Sequence, residues 1–597
     1  MSLFNSQEKI VLSYPKLKER IENREDSKAE KQKALMNLRE IRAEFSKTYI
    51  NSFQKLLDNA IPKLYDSVNF NENGVDFRQL VKDTSVVLVP NHQSHADYVA
   101  INYMVYKKYG FPLYVAGGNN LNIFPIGKLF RKSGCFFIRR SFANDILYKL
   151  TLEAYLYYLL MEQKPIEFFF EGGRSRTGKL LSPKYGLYQM LLEAHSHLPQ
   201  AKKKDLMFVP VSIVHEYVPE QKSLASELHG AKKKKESSGQ LLSLFKLFSY
   251  QFGSVHINLG NPIKALKSDE ESLKGDVQNL AFECFRSVGA NMCVTPSSVL
   301  GLVLLDEPGG ALEWSDIMGK AKVLIDFCEK FGIPYTDSMK GDELEDSLGR
   351  ALDIMIGNKK IDVIGRSTRS HTFYTIKEDK RQELLYFKNT ILHHFLIPWV
   401  INYAWINLFS GKIEDVSDLK KLFIDHRKLL KHEFYLPTVK DFLEKTFFMI
   451  STIIKRDIKN LEECLELSHK ELYLIASSLS VFSRSFNYII EAYYTSAVAL
   501  KNLNAQFPEV GFKNDDYVKA FKATHLEEAK LAIVVKFPES NSEPLTKSSF
   551  KYFQHEGIVE NNAGSIKVVN LDMLNENILN FENLLLELRK FNLRASV

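Results

Sequence analysis

The spacing of hydrophobic and polar positions changes twice along the chain. From about residue 6 to 60, apolar residues recur every three or four positions in a Lys/Glu/Leu-rich background, which predicts amphipathic helices. Between about 80 and 265, helical stretches alternate with short apolar runs: SVVLVP, PLYVAGG, CFFIRR, IEFFFEGG, LMFVPVSIV and SVHINLG. Strands that alternate with helices predict an α/β layer whose sheet is buried on both faces.

After about residue 270 nearly every segment has helical spacing, and weak strand signals return only in LAIVVKF and SIKVVNL near the end. The pattern therefore predicts three regions. These are an N-terminal helical segment over residues 1–60, an α/β domain over residues 61–270 and a mainly helical domain over residues 271–597. Within the α/β region, residues 237–251 are predicted to form a helical linker.

Composition narrows the possible classes of protein. At 597 residues the chain is too long for one hydrophobic core, and its 45% hydrophobic and 25% charged residues are ordinary for a folded protein. The formal charge of +7 suits phosphorylated substrates, coenzyme A or anionic lipid as readily as nucleic acid. Five dispersed cysteines without a CxxC pair argue against a zinc cluster or a disulfide framework, and favour a reducing compartment.

Membrane contact is expected from one side only. No window supplies the roughly 20 uninterrupted apolar residues that a spanning helix needs. The N-terminus reaches charged residues too early for the apolar core of a signal peptide. The most apolar stretch, residues 392–409, is interrupted by His, Pro and Asn. Its Trp399, Tyr403 and Trp405 suit a membrane interface, but a buried helix is the favoured interpretation.

Polar residues, NHQSHADY, follow the first buried strand, which ends at Pro90. Ligands bind beyond the carboxyl ends of strands in open α/β sheets. His92 and Asp97 meet only if His92 lies in the turn and Asp97 in the first helical turn, where the carboxylate accepts Nδ1–H and leaves Nε2 as a base. Alternatively, His92 and Ser94 only cap the helix. His95 is a competing base, disfavoured by its two-residue separation from Asp97.

Two further strands end in basic residues. GCFFIRR ends in consecutive arginines, which point to opposite faces of the sheet, so that one of them is placed to bind a phosphate. A surface ion pair is the alternative interpretation of these two arginines taken alone.

In IEFFFEGGRSRTGK, a strand runs into Glu171, and two glycines turn the backbone. Arg174, Arg176 and Lys179 then project from a short loop. This loop predicts an anion site beside a carboxylate.

Several common enzyme classes are disfavoured. Residues 173–179 nearly match the phosphate loop G-x-x-x-x-G-K, but Leu180 replaces the Ser or Thr that binds Mg²⁺, so nucleotide hydrolysis is rejected. The motifs GxSxG, HExxH and GxGxxG are absent from the sequence, which disfavours serine hydrolases, zincins and dinucleotide enzymes.

A fourth stretch, FVPVSIVHEYVPE, is another predicted buried strand that ends in polar residues. The run Lys232–Lys235 follows it, and suits either exposure to solvent or binding to the phosphates of coenzyme A and lipid.

Taken together and in this order, the four stretches resemble the four motif blocks of the glycerol-3-phosphate acyltransferase family. The likeness is closest to the membrane-bound bacterial sn-1 enzymes and their mitochondrial relatives. NHQSHADY resembles the His-x4-Asp block (HX4D), GCFFIRR the second, FFFEGGRSRTGK the third and VPVSIVHEY the fourth. The connecting segments AGGNNLNIFPIG, ELHGAKKKKES and FGSVHINLGNPI are also similar. The resemblance covers about residues 80–265.

The resemblance implies a fold, a reaction and a set of site residues. The fold is an α/β acyltransferase domain, a mixed sheet flanked by helices, with N-terminal helices and a mainly α-helical C-terminal domain. His92 is implied as the general base, and Asp97 orients it. Residues of the later blocks would bind substrate: Arg139, Glu171, Gly172, Arg174, Ser175, Pro210 and Tyr217. Neither a metal nor a cofactor is implied.

The implied reaction moves a fatty acyl group from acyl-CoA or acyl carrier protein to the sn-1 hydroxyl of glycerol 3-phosphate. The implied location is the cytoplasmic face of the cell membrane, peripheral or monotopic, against the lipid surface. Dihydroxyacetone phosphate is the alternative acceptor, and a non-catalytic lipid- or CoA-binding protein is the alternative class. Nucleic acid is not expected as a partner, because the charge is not concentrated in one basic domain and no recognition motif occurs.

Overall fold

The computed structural model describes residues 6–142, 144–218, 220–228, 252–266, 272–307, 310–365, 372–562 and 564–590. The chain forms two compact units. Unit 1 comprises residues 1–175, 180–220 and 233–293, and unit 2 comprises residues 176–179, 221–232 and 294–597. The predicted linker over 237–251 and the lysine run at 232–235 lie outside the described residues.

Unit 1 is built on a mixed eight-stranded sheet, as predicted. Its strands are β1 Ser67–Asn71, β2 Ser85–Pro90, β3 Tyr114–Gly118, β4 Cys135–Ile138, β5 Ile166–Glu167, β6 Leu206–His215, β7 Ser254–Leu259 and β8 Ile263–Lys264. The order across the sheet is β1-β7-β6-β2-β5-β3-β4, and β8 pairs with β6. Strands β6, β2, β5, β3 and β4 are parallel neighbours, so their carboxyl ends meet at one edge.

Helices cover this sheet on both faces. All six residues of β2 are buried. Val87 and Val89 belong to the main apolar core, and the intervening Val86 and Leu88 face the opposite side. The described helices of unit 1 are Ser6–Leu12, Pro15–Glu22, Ser27–Ile41, Lys47–Leu64, Phe77–Asp83, Asp97–Tyr109, Ile126–Lys132, Ile146–Met161, Gly186–Ser196 and Leu273–Asn291.

The compact units divide the chain differently from the predicted ranges. The N-terminal helices and the helix Leu273–Asn291 both lie in unit 1. Tyr14 and Leu38 from the former, and Val288 from the latter, are buried in the same core as Val87. The apolar faces of these helices are therefore covered by packing within unit 1, which helical spacing alone does not reveal.

Unit 2 is mainly helical, as predicted. Its described helices are Gln221–Leu228, Pro296–Leu305, Trp314–Lys330, Glu343–Gly357, Arg381–Ile391, Leu396–Phe409, Val416–Leu430, Val439–Ile454, Leu461–Leu465, His469–Leu479, Asn487–Gln506, Asn514–Lys530, Phe537–Ser540, Glu543–His555 and Leu571–Lys590. The long helix Asn487–Gln506 is buried along most of its length. The helices that pack around it therefore need an apolar face only on the side that contacts it.

Unit 2 also contains short strands, most of which the sequence pattern did not predict. Strands β9 Ala311–Glu313, β10 Ile361–Ile364 and β11 Phe373–Ile376 form a small antiparallel sheet, and β12 Val559–Asn562 pairs with β13 Ser565–Val568. The weak strand signal in SIKVVNL thus corresponds to β13. The signal in LAIVVKF was wrong, because Ala532 has a left-handed φ of 57° and the backbone N–H groups of Val535 and Lys536 donate to the Glu491 carboxylate instead of to a strand.

The apolar stretch 392–409 forms a short 3₁₀ turn and the helix Leu396–Phe409. Trp399 and Trp405 are fully buried, which confirms the favoured interpretation of a buried helix. Among the helices that the structure describes, none combines the length and apolar content needed to cross a membrane.

Gly134, just before β4, tests this architecture. Its φ is 109°, and a Cβ built there lies 2.4 Å from the carbonyl oxygen of Leu113. We expect Gly134→Ala to lower the free energy of unfolding by about 2–4 kcal/mol, since both the backbone strain and the clash fall on main-chain atoms. Gly275→Ala, in an exposed and open helical position, is the matched control and should leave stability unchanged or slightly higher. Urea unfolding followed by circular dichroism gives both values, and equal midpoints would contradict the backbone geometry.

Candidate active site

The predicted contact between His92 and Asp97 is present. His92 lies in the turn after β2, and Asp97 is the first residue of the helix Asp97–Tyr109. Nδ1 of His92 is 2.8 Å from Oδ2 of Asp97. Since a carboxylate only accepts hydrogen bonds, Nδ1 carries the proton and Nε2 is the basic nitrogen.

Asp97 is completely buried and is held by several donors. Its Oδ2 also accepts the backbone N–H groups of Gln93 at 2.6 Å and Ser94 at 2.9 Å. Its Oδ1 lies 2.6 Å from Nε2 of His215, which the sequence analysis did not identify. Burial alone would raise the pKa of Asp97, but the hydrogen bonds from His215 and His92 outweigh it and hold the pKa well below its ordinary value. Asp97 is therefore ionised at neutral pH.

The imidazole of His92 is packed but still accessible. Its ring stacks on Phe169, with centroids 4.3 Å apart and planes tilted by 32°. Its side chain is 13% exposed, and no described residue hydrogen-bonds to Nε2. The competing base His95 contacts Tyr98 instead, with Nδ1 3.3 Å from the hydroxyl. His92, not His95, therefore has the geometry of a base supported by a carboxylate.

The third block lies directly beside His92. The backbone N–H of Ser175 donates to the carbonyl oxygen of His92 at 2.8 Å. The turn after Glu171, which leads to Ser175, uses Gly172, whose φ is 67°. Burial raises the pKa of Glu171 well above its ordinary value, opposed in part by the backbone amides of Leu181 and His92. Burial therefore favours the neutral form of the Glu171 carboxyl.

Arg174 is joined to the first block through Glu220. Its guanidinium is 3.5 Å from Oε1 of Glu220. The same carboxylate accepts the backbone N–H of His95 and the hydroxyl of Ser94, each at 2.9 Å. One carboxylate thus fixes both the turn that carries His92 and the arginine predicted to bind phosphate.

The remaining basic residues of the third-block loop do not join this cluster. Arg176 and Lys179 belong to unit 2, where Arg176 pairs with Glu227 at 2.7 Å and Lys179 pairs with Glu433. No helix begins directly after Lys179, since the next helix starts at Gly186. The loop therefore lacks the loop-to-helix geometry of a nucleotide phosphate site, in agreement with the sequence analysis.

The second block places its two arginines differently. Arg139 follows β4 and makes a bidentate ion pair with Glu40, at 2.9 and 2.6 Å, and a 3.1 Å contact with Asp145. Arg140 is exposed, with Nε 3.2 Å from the side-chain oxygen of Asn120. Strand β4 is three strands from β2, about 14 Å at the usual ~4.8 Å spacing. The structure thus places Arg139 in an ion-pair network and does not bring it to His92.

The two predicted fourth-block residues pair and pack within unit 1. Pro210 lies in β6 opposite Val89 of β2, and its carbonyl accepts the N–H of Gly260 at 2.8 Å. Tyr217 is buried and its ring stacks on Phe252 at 5.8 Å. Neither contacts His92 in the described structure. Pro210 contributes to sheet pairing and Tyr217 to packing.

Sequence reasoning missed three polar residues: His215, Glu220 and Glu167. Glu167 is completely buried in β5, and neither carboxyl oxygen has a partner among the residues that the structure describes. Burial and then the Asp97 charge raise its pKa well above the ordinary value. The run IEFFFEGG held a usable signal, because Glu167 is an acidic residue inside an otherwise apolar stretch, two positions before Phe169, whose ring packs against that of His92. Nothing in the sequence distinguished His215 or Glu220 from other polar residues at a strand end.

This arrangement can perform general-base chemistry on a hydroxyl beside an anion. It supplies an imidazole with a basic Nε2, an ionised carboxylate behind it and an arginine nearby. Within the described residues, no group of three or more His, Cys, Asp or Glu side chains is arranged to hold a metal ion. The fold and the site together define a domain of the acyltransferase class, and the family model described as "Acyltransferase" matches residues 73–214.

A second family model, the C-terminal region of glycerol-3-phosphate acyltransferase, matches residues 224–562, more than half of the chain. The chain belongs to the glycerol-3-phosphate acyltransferase family. A glycerol-3-phosphate acyltransferase of Pseudoalteromonas translucida is 28% identical over 82% of this chain and 61% of its own length. A glycerol-3-phosphate acyltransferase of Shewanella denitrificans is 28% identical over 82% of this chain and 60% of its own length. One of Xanthomonas campestris pv. campestris is 32% identical over 60% of this chain and 42% of its own length.

The chain thus spans about 60% of the length of the first two relatives. Among solved structures, a 1-acyl-sn-glycerophosphate acyltransferase of Thermotoga maritima is similar, with 17% identity over 46% of this chain and 89% of its own, and a TM-score of 0.23. That score is too low to transfer any structural detail between the two proteins.

The buried carboxyl of Glu167 gives a pH-dependent prediction. The pKa of Glu167 is higher in the folded chain than in the unfolded chain. As the pH rises above the unfolded-state pKa, the unfolded chain releases a proton that the folded chain retains. The free energy of unfolding therefore decreases. Glu167→Gln should therefore be more stable than the wild type at pH 8, with a smaller difference at pH 5. Urea midpoints at both pH values measure this effect, and Glu162→Gln, an exposed position, controls for loss of one charge. An equal difference at both pH values would contradict a neutral Glu167.

Proposed function

We propose that the protein transfers a fatty acyl group from a thioester, acyl-CoA or acyl carrier protein, to the sn-1 hydroxyl of glycerol 3-phosphate. The observation that carries the proposal is the His92–Asp97 pair, with the third block hydrogen-bonded to the carbonyl of His92 and Arg174 in the same cluster. Family membership supports the same reaction. The glycerol-3-phosphate acyltransferases similar to this chain are longer than it, so the activity of the whole protein is proposed and not transferred from them.

The proposed mechanism has no covalent enzyme intermediate. Nε2 of His92 takes the proton from the sn-1 hydroxyl as its oxygen attacks the thioester carbonyl carbon. The tetrahedral intermediate collapses, the C–S bond breaks, and the imidazolium returns the proton to the thiolate. Ionised Asp97 stabilises the imidazolium and fixes its orientation. No metal or other cofactor takes part in these steps.

Substrate positioning is proposed for the later blocks. Arg174 and Arg139 would hold the phosphate, and Glu171, Gly172 and Ser175 would shape the floor on which the glycerol lies. Pro210 and Tyr217 would support that floor through the sheet. Arg139 can contribute only if phosphate competes with Glu40 and Asp145 for its guanidinium. The neighbouring Arg140 is therefore a necessary comparison.

The proposed setting is the cytoplasmic face of the cell membrane, with peripheral or monotopic association. The product, a 1-acylglycerol 3-phosphate, is an amphiphile that partitions into lipid, so an enzyme at the lipid surface releases it where it is stable. Dihydroxyacetone phosphate is the second candidate acceptor, because it carries the same phosphate and a hydroxyl at the same distance.

The activity test compares four proteins with labelled palmitoyl-CoA and with palmitoyl-loaded acyl carrier protein. The wild type should acylate glycerol 3-phosphate faster than dihydroxyacetone phosphate. His92→Ala should lose about 10²–10⁴-fold in kcat, the usual contribution of a general base. Asp97→Asn should also lose activity, whereas His95→Ala, the matched control on the same turn, should retain most of it. If His95→Ala is the inactive variant, the base is wrongly assigned. If the wild type uses neither acceptor with either donor, the enzyme proposal fails and the lipid-binding alternative replaces it.

The phosphate contacts are tested through KM. Arg174→Gln should raise KM for glycerol 3-phosphate about tenfold or more while leaving KM for palmitoyl-CoA unchanged, because a charged hydrogen bond contributes about 1.5–3 kcal/mol. Arg139→Gln and Arg140→Gln form a matched pair at the end of β4. The larger increase in KM identifies the second-block residue that reaches the phosphate. An increase with Arg140→Gln alone would remove Arg139 from the site.

A further inference from the structure

Asp97 carries a second histidine on its other oxygen. His215 ends strand β6, and its Nε2 lies 2.6 Å from Oδ1 of Asp97. Its side chain is completely buried, like that of Asp97. His92 occupies the opposite oxygen, Oδ2, at 2.8 Å. One carboxylate therefore bridges an accessible imidazole and a buried one.

The hydrogen bonds define the protonation of His215. Since Asp97 only accepts, Nε2 of His215 carries a proton and donates it. Nδ1 of His215 is buried and has no partner among the described residues. A second proton at Nδ1 would be a buried donor without an acceptor, which costs about 1–3 kcal/mol. The hydrogen bond therefore places a proton of His215 on Nε2, facing Oδ1 of Asp97, and leaves Oδ2 to the donors that include His92.

The backbone holds His215 rigidly in this position. Its N–H donates to the side-chain oxygen of Gln93 at 3.3 Å, and it pairs with Val255 of β7 in the antiparallel register. Gln93 itself donates its backbone N–H to Asp97. The donor on Oδ1 is thus placed by the sheet, whereas the donors on Oδ2 come from the turn after β2.

We propose that His215 is a positioning residue for the acyl transfer, which fixes the Asp97 carboxylate so that Oδ2 stays aimed at Nδ1 of His92. The inference rests on the proposed function and adds to it a residue that does not touch substrate. Without His215, Oδ1 is a buried acceptor lacking its partner, and the carboxylate gains by rotating away from the alignment that His92 needs.

The test uses two substitutions at His215 and a matched pair elsewhere. His215→Met removes the donor at similar volume, and His215→Gln keeps an amide N–H near the position of Nε2. His256, on the neighbouring strand β7, is the control, because its Nε2 makes a comparable 3.1 Å contact with Glu216 away from Asp97. We expect His215→Met to lower kcat about 10–100-fold with KM for both substrates changed less than about threefold. His215→Gln should recover most of the loss, and His256→Met should match the wild type.

A double-mutant cycle with Asp97→Asn identifies the route of the effect. If His215 acts through Asp97, the double variant H215M/D97N has the same kcat as D97N alone, within about twofold. The inference would be overturned if the losses of kcat in H215M and D97N multiply in the double variant. It would also be overturned if H215M has the same kcat as the wild type. If H215M does not fold, His215→Asn replaces it, because the shorter amide does not reach Asp97 while H215Q does.

A measurement that needs no activity separates this inference from the proposed function. The proton on Nδ1 of His92, bonded to a buried carboxylate, should give a downfield ¹H resonance that His92→Ala abolishes. We expect H215M to shift or broaden this resonance, H215Q to restore it and H256M to leave it unchanged. An unaltered resonance in H215M would overturn the inference even if the wild type proved inactive on every acceptor, an outcome that would separately refute the proposed function.

Discussion

A single buried charge organises the site. Asp97 has no contact with solvent, and an isolated carboxylate in that position would be costly enough to become protonated. It stays ionised because four donors from two parts of the chain converge on it, namely the imidazoles of His92 and His215 and the backbone amides of Gln93 and Ser94. The turn after β2 and the end of β6 must therefore be in register. Any error in the pairing of these strands would leave the charge unsatisfied.

The same constraint brings the motif blocks together. Because β2, β5 and β6 are parallel neighbours, the residues that follow them meet at one edge of the sheet. The amide of Ser175 then reaches the carbonyl of His92, and Glu220 connects Arg174 to the turn of the first block. The ionised Asp97 also stands near two buried carboxyl groups, Glu167 and Glu171, whose pKa values burial raises well above their ordinary range. The site thus combines a carboxylate held in its charged form with two carboxyl groups whose burial favours the neutral form.

Sequence reasoning predicted the elements whose signals are local. The alternation of apolar runs and helical stretches predicted the sheet of unit 1. The resemblance implied the contact between His92 and Asp97, which their five-residue spacing permits once His92 lies in the turn before the helix. Sequence reasoning failed where the signal was short or ambiguous. Strands β9, β10 and β11 have only three or four residues each. The apolar run at 531–535 follows a helix and forms no strand, since Ala532 has a left-handed φ and the backbone N–H groups of Val535 and Lys536 donate to the Glu491 carboxylate. The sequence also did not predict that the N-terminal helices and the helix Leu273–Asn291 belong to unit 1. An amphipathic pattern shows that a helix has a buried face, but it does not show which part of the chain covers that face.

What the sequence determined by itself was therefore the class of the fold, the order of the four blocks, and the choice of His92 and Asp97 as candidates in the first block, since each depends on neighbouring residues. Only the tertiary structure decided which distant groups complete the site. His215 lies 118 positions from Asp97, and Glu220 is 125 positions from His95. The structure also assigned Arg139 to Glu40 and Asp145, a choice that depends on a helix far earlier in the chain. Such pairings follow from strand register and packing, for which a single sequence carries no local signal.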